Sequence, residues 1–297
     1  MRAGFVSIVG RPNAGKSTLL NRILGEKVAI VSDKPQTTRT RILGVKTYGD
    51  GQAVFIDTPG IHKPMHTMNA RMVEAAVQAT RDVDVVLLVV DASLPTGPGD
   101  TFVIGVVKRA SRPALLALNK IDLIDKPALL PLIDWYRGQH AFEEIVPISA
   151  ATGDGVGQLE QVLLSHLPEG EAAYPDDYLT DQPERTLAAE IVREKLLRHT
   201  RDELPYTTAV IVERFEEPDA RGLMRLFCTI LVEHESQKPI VIGRQGAMIK
   251  RIGTEAREEL ERFFQTRVFL DLHVKVRTDW REDERVLDEL GLGRRRR

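Results

Sequence analysis

The sequence predicts an α/β protein: a doubly wound, mostly parallel sheet followed by a smaller α+β domain. Two observations carry that prediction. Up to about residue 167, short apolar runs alternate with helix-periodic segments, the pattern of repeated βα units. One of these runs, Val83 to Val90, is almost unbroken in its apolar character, as a strand covered on both faces requires. After residue 184 the order changes to helix–strand–strand–helix–helix–strand, which does not continue a parallel sheet.

The first apolar run, Phe5-Val6-Ser7-Ile8-Val9, leads into Gly10-Arg11-Pro12-Asn13-Ala14-Gly15-Lys16-Ser17, and a helical pattern beginning Leu19-Leu20-Asn21-Arg22-Ile23-Leu24 follows. A strand, a G-x-x-x-x-G-K-S loop and a helix in this order form a phosphate-binding loop, because backbone N–H groups and the positive helix end converge on an anion. Lys16 is placed to reach the β- and γ-phosphates and the Ser17 hydroxyl to ligate Mg²⁺. A second run, Ala53-Val54-Phe55-Ile56, ends in Asp57-Thr58-Pro59-Gly60. There Asp57 suits Mg²⁺ and the Gly60 N–H suits a γ-phosphate.

A third run, Ala114 to Leu118, enters Asn119-Lys120-Ile121-Asp122. A carboxylate only accepts hydrogen bonds, so Asp122 matches the N1–H and amino donors of guanine, a pair that adenine lacks. Asn119 is expected to brace the loop and the Lys120 stem to lie over the base. Ile145 to Ile148 leads to Ser149-Ala150-Ala151, whose N–H groups are candidates for guanine O6. Four such motifs in order, each after an apolar strand, identify a guanine nucleotide-binding protein. The candidate GTP contacts are therefore Gly10, Arg11, Pro12, Asn13, Ala14, Gly15, Lys16, Ser17, Thr18, Asp57, Gly60, Asn119, Lys120, Asp122, Ser149, Ala150 and Ala151.

The chain has 297 residues, 42% hydrophobic and 28% charged, enough for two domains with ordinary cores. No apolar stretch approaches the roughly 18 residues of a membrane span. Met1-Arg2-Ala3-Gly4 runs straight into a strand, so no signal peptide is expected and the protein is placed in the cytoplasm. The one cysteine, Cys228, sits in the strand-like run Leu226 to Leu231 and reads as a buried small hydrophobe in a reducing compartment.

The boundaries follow from these shifts: a nucleotide-binding domain over 1–168, an acidic linker over 169–184, a second domain over 185–290 and an Arg-rich tail over 291–297. The linker carries six acidic residues, no basic ones and prolines at 175 and 183. In the second domain, an amphipathic helix over 186–198 precedes two β-rich runs, 207–215 and 223–233, expected to form an antiparallel pair with polar outward positions. Then comes Pro239-Ile240-Val241-Ile242-Gly243-Arg244-Gln245-Gly246-Ala247-Met248-Ile249-Lys250-Arg251, and a last strand runs from Val268 to Val276. A G-x-x-G between two short helices is the RNA-clamping loop of a KH domain, and the element order resembles the type II form of that fold.

The RNA-binding candidates are Ile242, Gly243, Arg244, Gln245, Gly246, Lys250 and Arg251. Residues 185–297 hold 23 Lys and Arg against 21 Asp and Glu, so the domain as a whole is not basic. The strip 238–254, however, has Lys238, Arg244, Lys250 and Arg251 and no acid, adequate for a few phosphate contacts. Arg294 to Arg297 could steer nucleic acid or an anionic membrane and are assigned no site.

Taken with Pro35-Gln36-Thr37-Thr38-Arg39, these motifs resemble the bacterial Era family of GTPases from Gly4 to about Leu290. The resemblance implies a P-loop GTPase joined to a C-terminal KH domain, binding GTP and GDP with Mg²⁺. It further implies binding to the 3′ end of 16S ribosomal RNA in maturation of the 30S subunit, by a monomer that could also touch the inner face of the cell membrane. Related GTPases carry the switch hydroxyl directly before the arginine, which favours Thr38 over Thr37. Ser17, Thr38 and Asp57 are then the Mg²⁺ ligands, and Lys16, Thr38 and Gly60 the catalytic set. Asn13 resembles the residue that helps hold K⁺ near the phosphates in some GTPases, where K⁺ could neutralise charge in the absence of an arginine finger; simple bracing of the loop is the alternative. Ile61 stands where many small GTPases have a water-orienting glutamine; His62 is available beside it, though a surface histidine in such a loop is more often only that. Two other classes stay open, a tRNA-modification GTPase and a non-hydrolysing RNA-binding scaffold.

Overall fold

The structure, a computed structural model, describes residues 1–34, 36–62, 66–200 and 203–293. Pro35 of the switch motif and Arg294 to Arg297 of the tail lie outside the described residues. The chain separates into two compact units, one formed by residues up to 181 and the other by residues from 182 onward, with residues 66–68 grouping with the second.

The first unit alternates strand and helix as β1 (Arg2–Val9), α1 (Lys16–Leu24), β2 (Ile42–Thr47), β3 (Gly51–Asp57), α2 (Thr67–Gln78), β4 (Val85–Asp91), α3 (Pro98–Ala110), β5 (Ala114–Asn119), α4 (Leu129–Gln139), β6 (Glu144–Pro147) and α5 (Val156–His166). Its six strands lie in the order β2-β3-β1-β4-β5-β6. All neighbours are parallel except β2 and β3, which pair as a hairpin with Ile42 opposite Asp57. One face buries Val6, Ile8, Phe55, Leu87 and Leu115 together with Leu19, Leu20 and Ile23 of α1. The opposite face buries Val9, Val86, Leu88, Leu116 and Val103 of α3. Strands covered on both sides explain why Val85–Val90 is apolar without alternation.

The acidic stretch after α5 is laid along the first unit. Glu169 bridges Arg2, Tyr174 N–H bonds Gln52 Oε1 at 3.0 Å, and the Leu179 carbonyl accepts from Val45 N–H at 2.8 Å. The stacked rings of Tyr174 and Tyr178 pack against Leu43, Val45 and Val54. Those two tyrosines, among six carboxylates, give the segment the apolar area that holds it in place.

The second unit runs α6 (Glu184–His199), α7 (Leu204–Thr207), β7 (Ala209–Glu216), β8 (Leu223–Val232), α8 (Lys238–Ile242), α9 (Ala247–Phe264), β9 (Arg267–Val276) and α10 (Glu284–Glu289). Its sheet has the order β7-β8-β9, with β7 antiparallel and β9 parallel to β8. Alternate residues Met224, Leu226, Cys228 and Ile230 of β8 meet Val192 and Leu196 of α6 and Ile252, Ala256 and Leu260 of α9. Two features depart from the sequence expectation. The outward face of the sheet is not purely polar: Phe227 and Phe269 lie with ring centroids 5.9 Å apart, with the Arg214 guanidinium over Phe227. And α6 is buried well beyond one stripe, taking in Arg193, Glu194 and Lys195. Ion pairs compensate the buried charge: Lys195 with Glu194 at 2.8 Å and with Glu259, and Arg193 with Glu190 at 2.6 Å.

Candidate functional site

The phosphate loop spans the gap between β1 and α1. Asn13 and Gly15 both sit at positive φ, 62° and 94°, and Gly15 caps α1. These turns deliver Lys16 into a buried position, its Nζ 3.2 Å from the Arg11 carbonyl and 3.5 Å from that of Gly10. Burial pushes the lysine pKa down, and the Asp57 carboxylate partly restores it. Arg11 turns outward to Asp100 Oδ2 at 3.0 Å, the same oxygen that accepts from Gly97 N–H at the start of α3. Asn13 Nδ2 donates to the Asp33 carbonyl at 2.7 Å, tying the loop to the segment before the switch threonines.

Beside Lys16, three candidate metal ligands converge from three elements. Ser17 Oγ, on α1, lies 2.6 Å from Asp57 Oδ2 at the end of β3 and 2.7 Å from Thr38 Oγ1. Thr37 points elsewhere, its hydroxyl donating to the Lys34 carbonyl. Asp57 is fully buried, and its Oδ1 has no hydrogen-bond partner among the described residues. Burial raises its pKa, while Lys16 and the Ser17 hydroxyl pull it back. Two hydroxyls and a carboxylate with a spare oxygen are the hard donors that Mg²⁺ prefers, so the residues present fit that ion.

The loop after β3 is fastened to the phosphate loop. Thr58 Oγ1 donates to the Ile8 carbonyl at 2.8 Å, and Ile61 N–H to the Gly10 carbonyl at 3.0 Å. Gly60 approaches so closely that a Cβ would sit 2.7 Å from the Pro12 backbone. Ile61 is 1% exposed and packs with Val9, Ala76 and Val103, so its side chain belongs to the core.

At the other end of the site, Asn119 joins two loops: its Nδ2 donates to the Ala14 carbonyl and its Oδ1 accepts from Ala150 N–H, each at 2.8 Å. Lys120, at φ 67°, places its Nζ 2.5 Å from Asp91 Oδ2 at the end of β4. Asp122 follows in a short 3₁₀ turn, with its side chain exposed. Ser149 and Ala150 are buried and Ala151 is exposed.

In the second unit, Gly243 ends α8 and Gly246 caps α9, with Arg244–Gly246 forming a 3₁₀ turn between them. Arg244, Gln245, Lys250 and Arg251 are exposed, and Ile242 is half-buried. Arg251 is engaged with Glu255 at 3.2 Å. Arg244 and Lys250 make no ion pair among the described residues.

Sequence reasoning missed Asp91, Asp100 and Arg22 as supports of this site. Asp91 had a visible signal, a carboxylate closing an apolar strand. Arg22 and Asp100 had none, since their partners lie 128 and 89 residues away.

The geometry defines a P-loop GTPase carrying a KH domain. Residues 5–120 match the family described as a 50S ribosome-binding GTPase, and residues 203–281 match the KH domain family. The chain is 55% identical to GTPase Era of Geobacter metallireducens over 290 residues, 98% of this chain and 97% of that one. It is 52% identical to GTPase Era of Syntrophus aciditrophicus, covering 98% and 95%. Its fold matches the crystal structure of an Aquifex aeolicus Era variant bound to GDP and AlF4⁻, with TM-score 0.95, 42% identity and 99% and 100% of the two chains covered. A structure of Era with MgGDPNP and nucleotides 1506–1542 of 16S ribosomal RNA matches at TM-score 0.96, 42% identity and the same coverage. The chain belongs to the GTPase Era family and is a GTPase.

Proposed function

We propose that this protein hydrolyses GTP and binds the single-stranded 3′ end of 16S ribosomal RNA in assembly of the 30S subunit. The observation that supports this best is the full-length match to Era in complex with MgGDPNP and nucleotides 1506–1542 of 16S ribosomal RNA. In this reading residues 1–168 hold the nucleotide, 169–184 link, and 185–290 clamp RNA.

Backbone N–H groups of Asn13 to Thr18 cradle the phosphates, and buried Lys16 neutralises charge that develops on the γ-phosphoryl oxygens. Ser17, Thr38 and Asp57 would hold Mg²⁺, which would supply positive charge against the phosphate oxygens. Thr38 is carried on an irregular segment, so its engagement depends on the γ-phosphate and changes when that group is lost. Gly60 offers its N–H to the γ-phosphate from a loop locked on Pro12. Asp122 reads the N1–H and amino edge of guanine, and the Ser149–Ala151 backbone reads O6. Asn13 would help hold K⁺ beside the phosphates, supplying the positive charge that a missing arginine finger does not. The protein acts as a cytoplasmic monomer, and any contact with the inner membrane face rests on Arg294 to Arg297, outside the described residues.

Replacing Arg244 and Gln245 together with aspartate tests the RNA half. Single-stranded RNA affinity should fall by at least about tenfold, with the salt slope flattened by roughly 0.7 per lost phosphate contact. GTP affinity should stay within about twofold, only ~0.4 kcal/mol. Unchanged RNA binding would place the clamp elsewhere.

A further inference from the structure

Guanine O6 needs a donor, and the loop from Ser149 to Asp154 spends nearly all of its N–H groups on itself and on Asn119. Ser149 N–H goes to the Asp154 carbonyl and Gly153 N–H to the Ser149 carbonyl, both at 2.8 Å. Ala150 N–H goes to Asn119 Oδ1, Thr152 N–H to Ser149 Oγ and Asp154 N–H to Thr152 Oγ1. Among these described residues, the Ala151 N–H is left, on an exposed residue.

The direction of that N–H is set by its peptide plane. In a trans peptide the carbonyl of one residue and the N–H of the next point opposite ways, so holding the Ala150 carbonyl fixes the Ala151 N–H. Arg22 does the holding. Its Nε donates to the Ala150 carbonyl at 3.2 Å and its Nη2 to the Ala151 carbonyl. One rigid planar fork thus clamps two successive carbonyls, a geometry that lysine cannot reproduce with a single ammonium. Arg22 stands on α1, the helix that begins at Lys16 and Ser17, so the element that opens at the phosphate loop also sets the loop for the base.

We propose that Arg22 is a positioning residue for base selection, turning the Ala151 N–H toward guanine O6. This rests on the assignment of Asp122 and Ser149–Ala151 to guanine. The discriminating ligand is 6-thioguanosine triphosphate, which keeps the N1–H and amino donors for Asp122 but offers sulfur, a weak acceptor, in place of O6. The parent protein should bind GTP roughly tenfold more tightly than the thio analogue, the upper range of one buried hydrogen bond. In Arg22→Met the ratio should fall to about twofold because GTP binding weakens selectively, and Arg22→Lys should give an intermediate ratio. Both nucleotides are measured on the same sample, so partial unfolding cancels from the ratio. An unchanged ratio in Arg22→Met, with both affinities lowered alike, would make Arg22 a general brace and overturn the proposal; so would a parent protein that shows no preference. Failure of the underlying base assignment is read separately, as Asp122→Asn retaining its preference for guanine.

Discussion

Gly246→Ala separates the stability of the RNA loop from its function. At Gly246 the backbone has φ 78° and ψ 9°, and a Cβ added there meets nothing within 4 Å. Its cost to folding is then only the left-handed conformation of an L residue, about 1–2 kcal/mol. For a unit of this size that is a drop in melting temperature of roughly 4–8 °C. Gly243 is different. It has φ 74°, and a Cβ would lie 2.6 Å from Met248 Cβ and 2.7 Å from Met248 N, atoms of a helix that cannot move away independently. Gly243→Ala adds an overpacking cost of about 1–3 kcal/mol to the strain of a backbone at ψ 172°, a conformation essentially confined to glycine.

The order reverses for RNA. The open flank of Gly246 is where a sugar-phosphate backbone can approach a KH loop, and a methyl there keeps it away. One lost charge-assisted contact is worth about 1.5–3 kcal/mol, so affinity for a single-stranded oligonucleotide of the 16S 3′ end should fall about 10- to 150-fold. The assay is fluorescence anisotropy at fixed salt, alongside thermal melting of both variants and GTP hydrolysis without RNA, which should stay within about twofold. The reasoning fails if Gly246→Ala binds RNA like the parent, or if Gly243→Ala melts no lower than Gly246→Ala.

Three further expectations follow from named residues. Asp122→Asn should weaken GTP binding and admit xanthosine triphosphate, whose donor pattern is reversed at that edge; competition binding with the two nucleotides checks it. Turnover should be slow, since Ile61 is in the core, and faster in K⁺ than in Na⁺, with the difference lost in Asn13→Ala; equal phosphate release in both salts for the parent would remove K⁺ from the mechanism. Cys228 is 1% exposed, and burial pushes its thiol up to about 12, so the thiolate needed for alkylation is nearly absent at pH 8. Iodoacetamide should leave the native protein unlabelled on mass analysis and label it once denaturant opens the β8 layer.

The candidate nucleotide site was legible because its parts are contiguous in sequence and fall at strand ends. A parallel sheet brings the ends of β1, β3 and β5 to one edge, so recognising the strands is nearly equivalent to assembling the site. The KH loop was legible for a similar reason, since its two glycines are three residues apart. What stayed hidden depends on side chains that meet only after folding. The burial of Arg193 and Glu194 goes beyond the amphipathic reading of α6, and polarity alone does not tell that Glu259 of α9 lies opposite Lys195. Helix α10 was also missed. Its signal was Asp283, whose carboxylate caps Arg285 N–H at 3.0 Å, but six residues are too few for a periodic pattern to emerge.

The missed residues also change how the nucleotide site should be understood. Asn119 donates to Ala14 and accepts from Ala150, while Ala150 accepts from Arg22, which stands eight residues after Ala14 in the chain. These bonds close a ring through the phosphate loop, α1, the loop after β6 and the end of β5. A ring of this kind has no independent phosphate half and base half. Losing Asn119 frees a carbonyl on one side and an N–H on the other, both buried, and each unsatisfied group costs about 1–3 kcal/mol. Substitutions at Asn119 and Arg22 act on one network, so their effects on nucleotide affinity should not add. Asn119, a candidate GTP contact by its motif, is thus also the joint between the phosphate loop and the loop after β6.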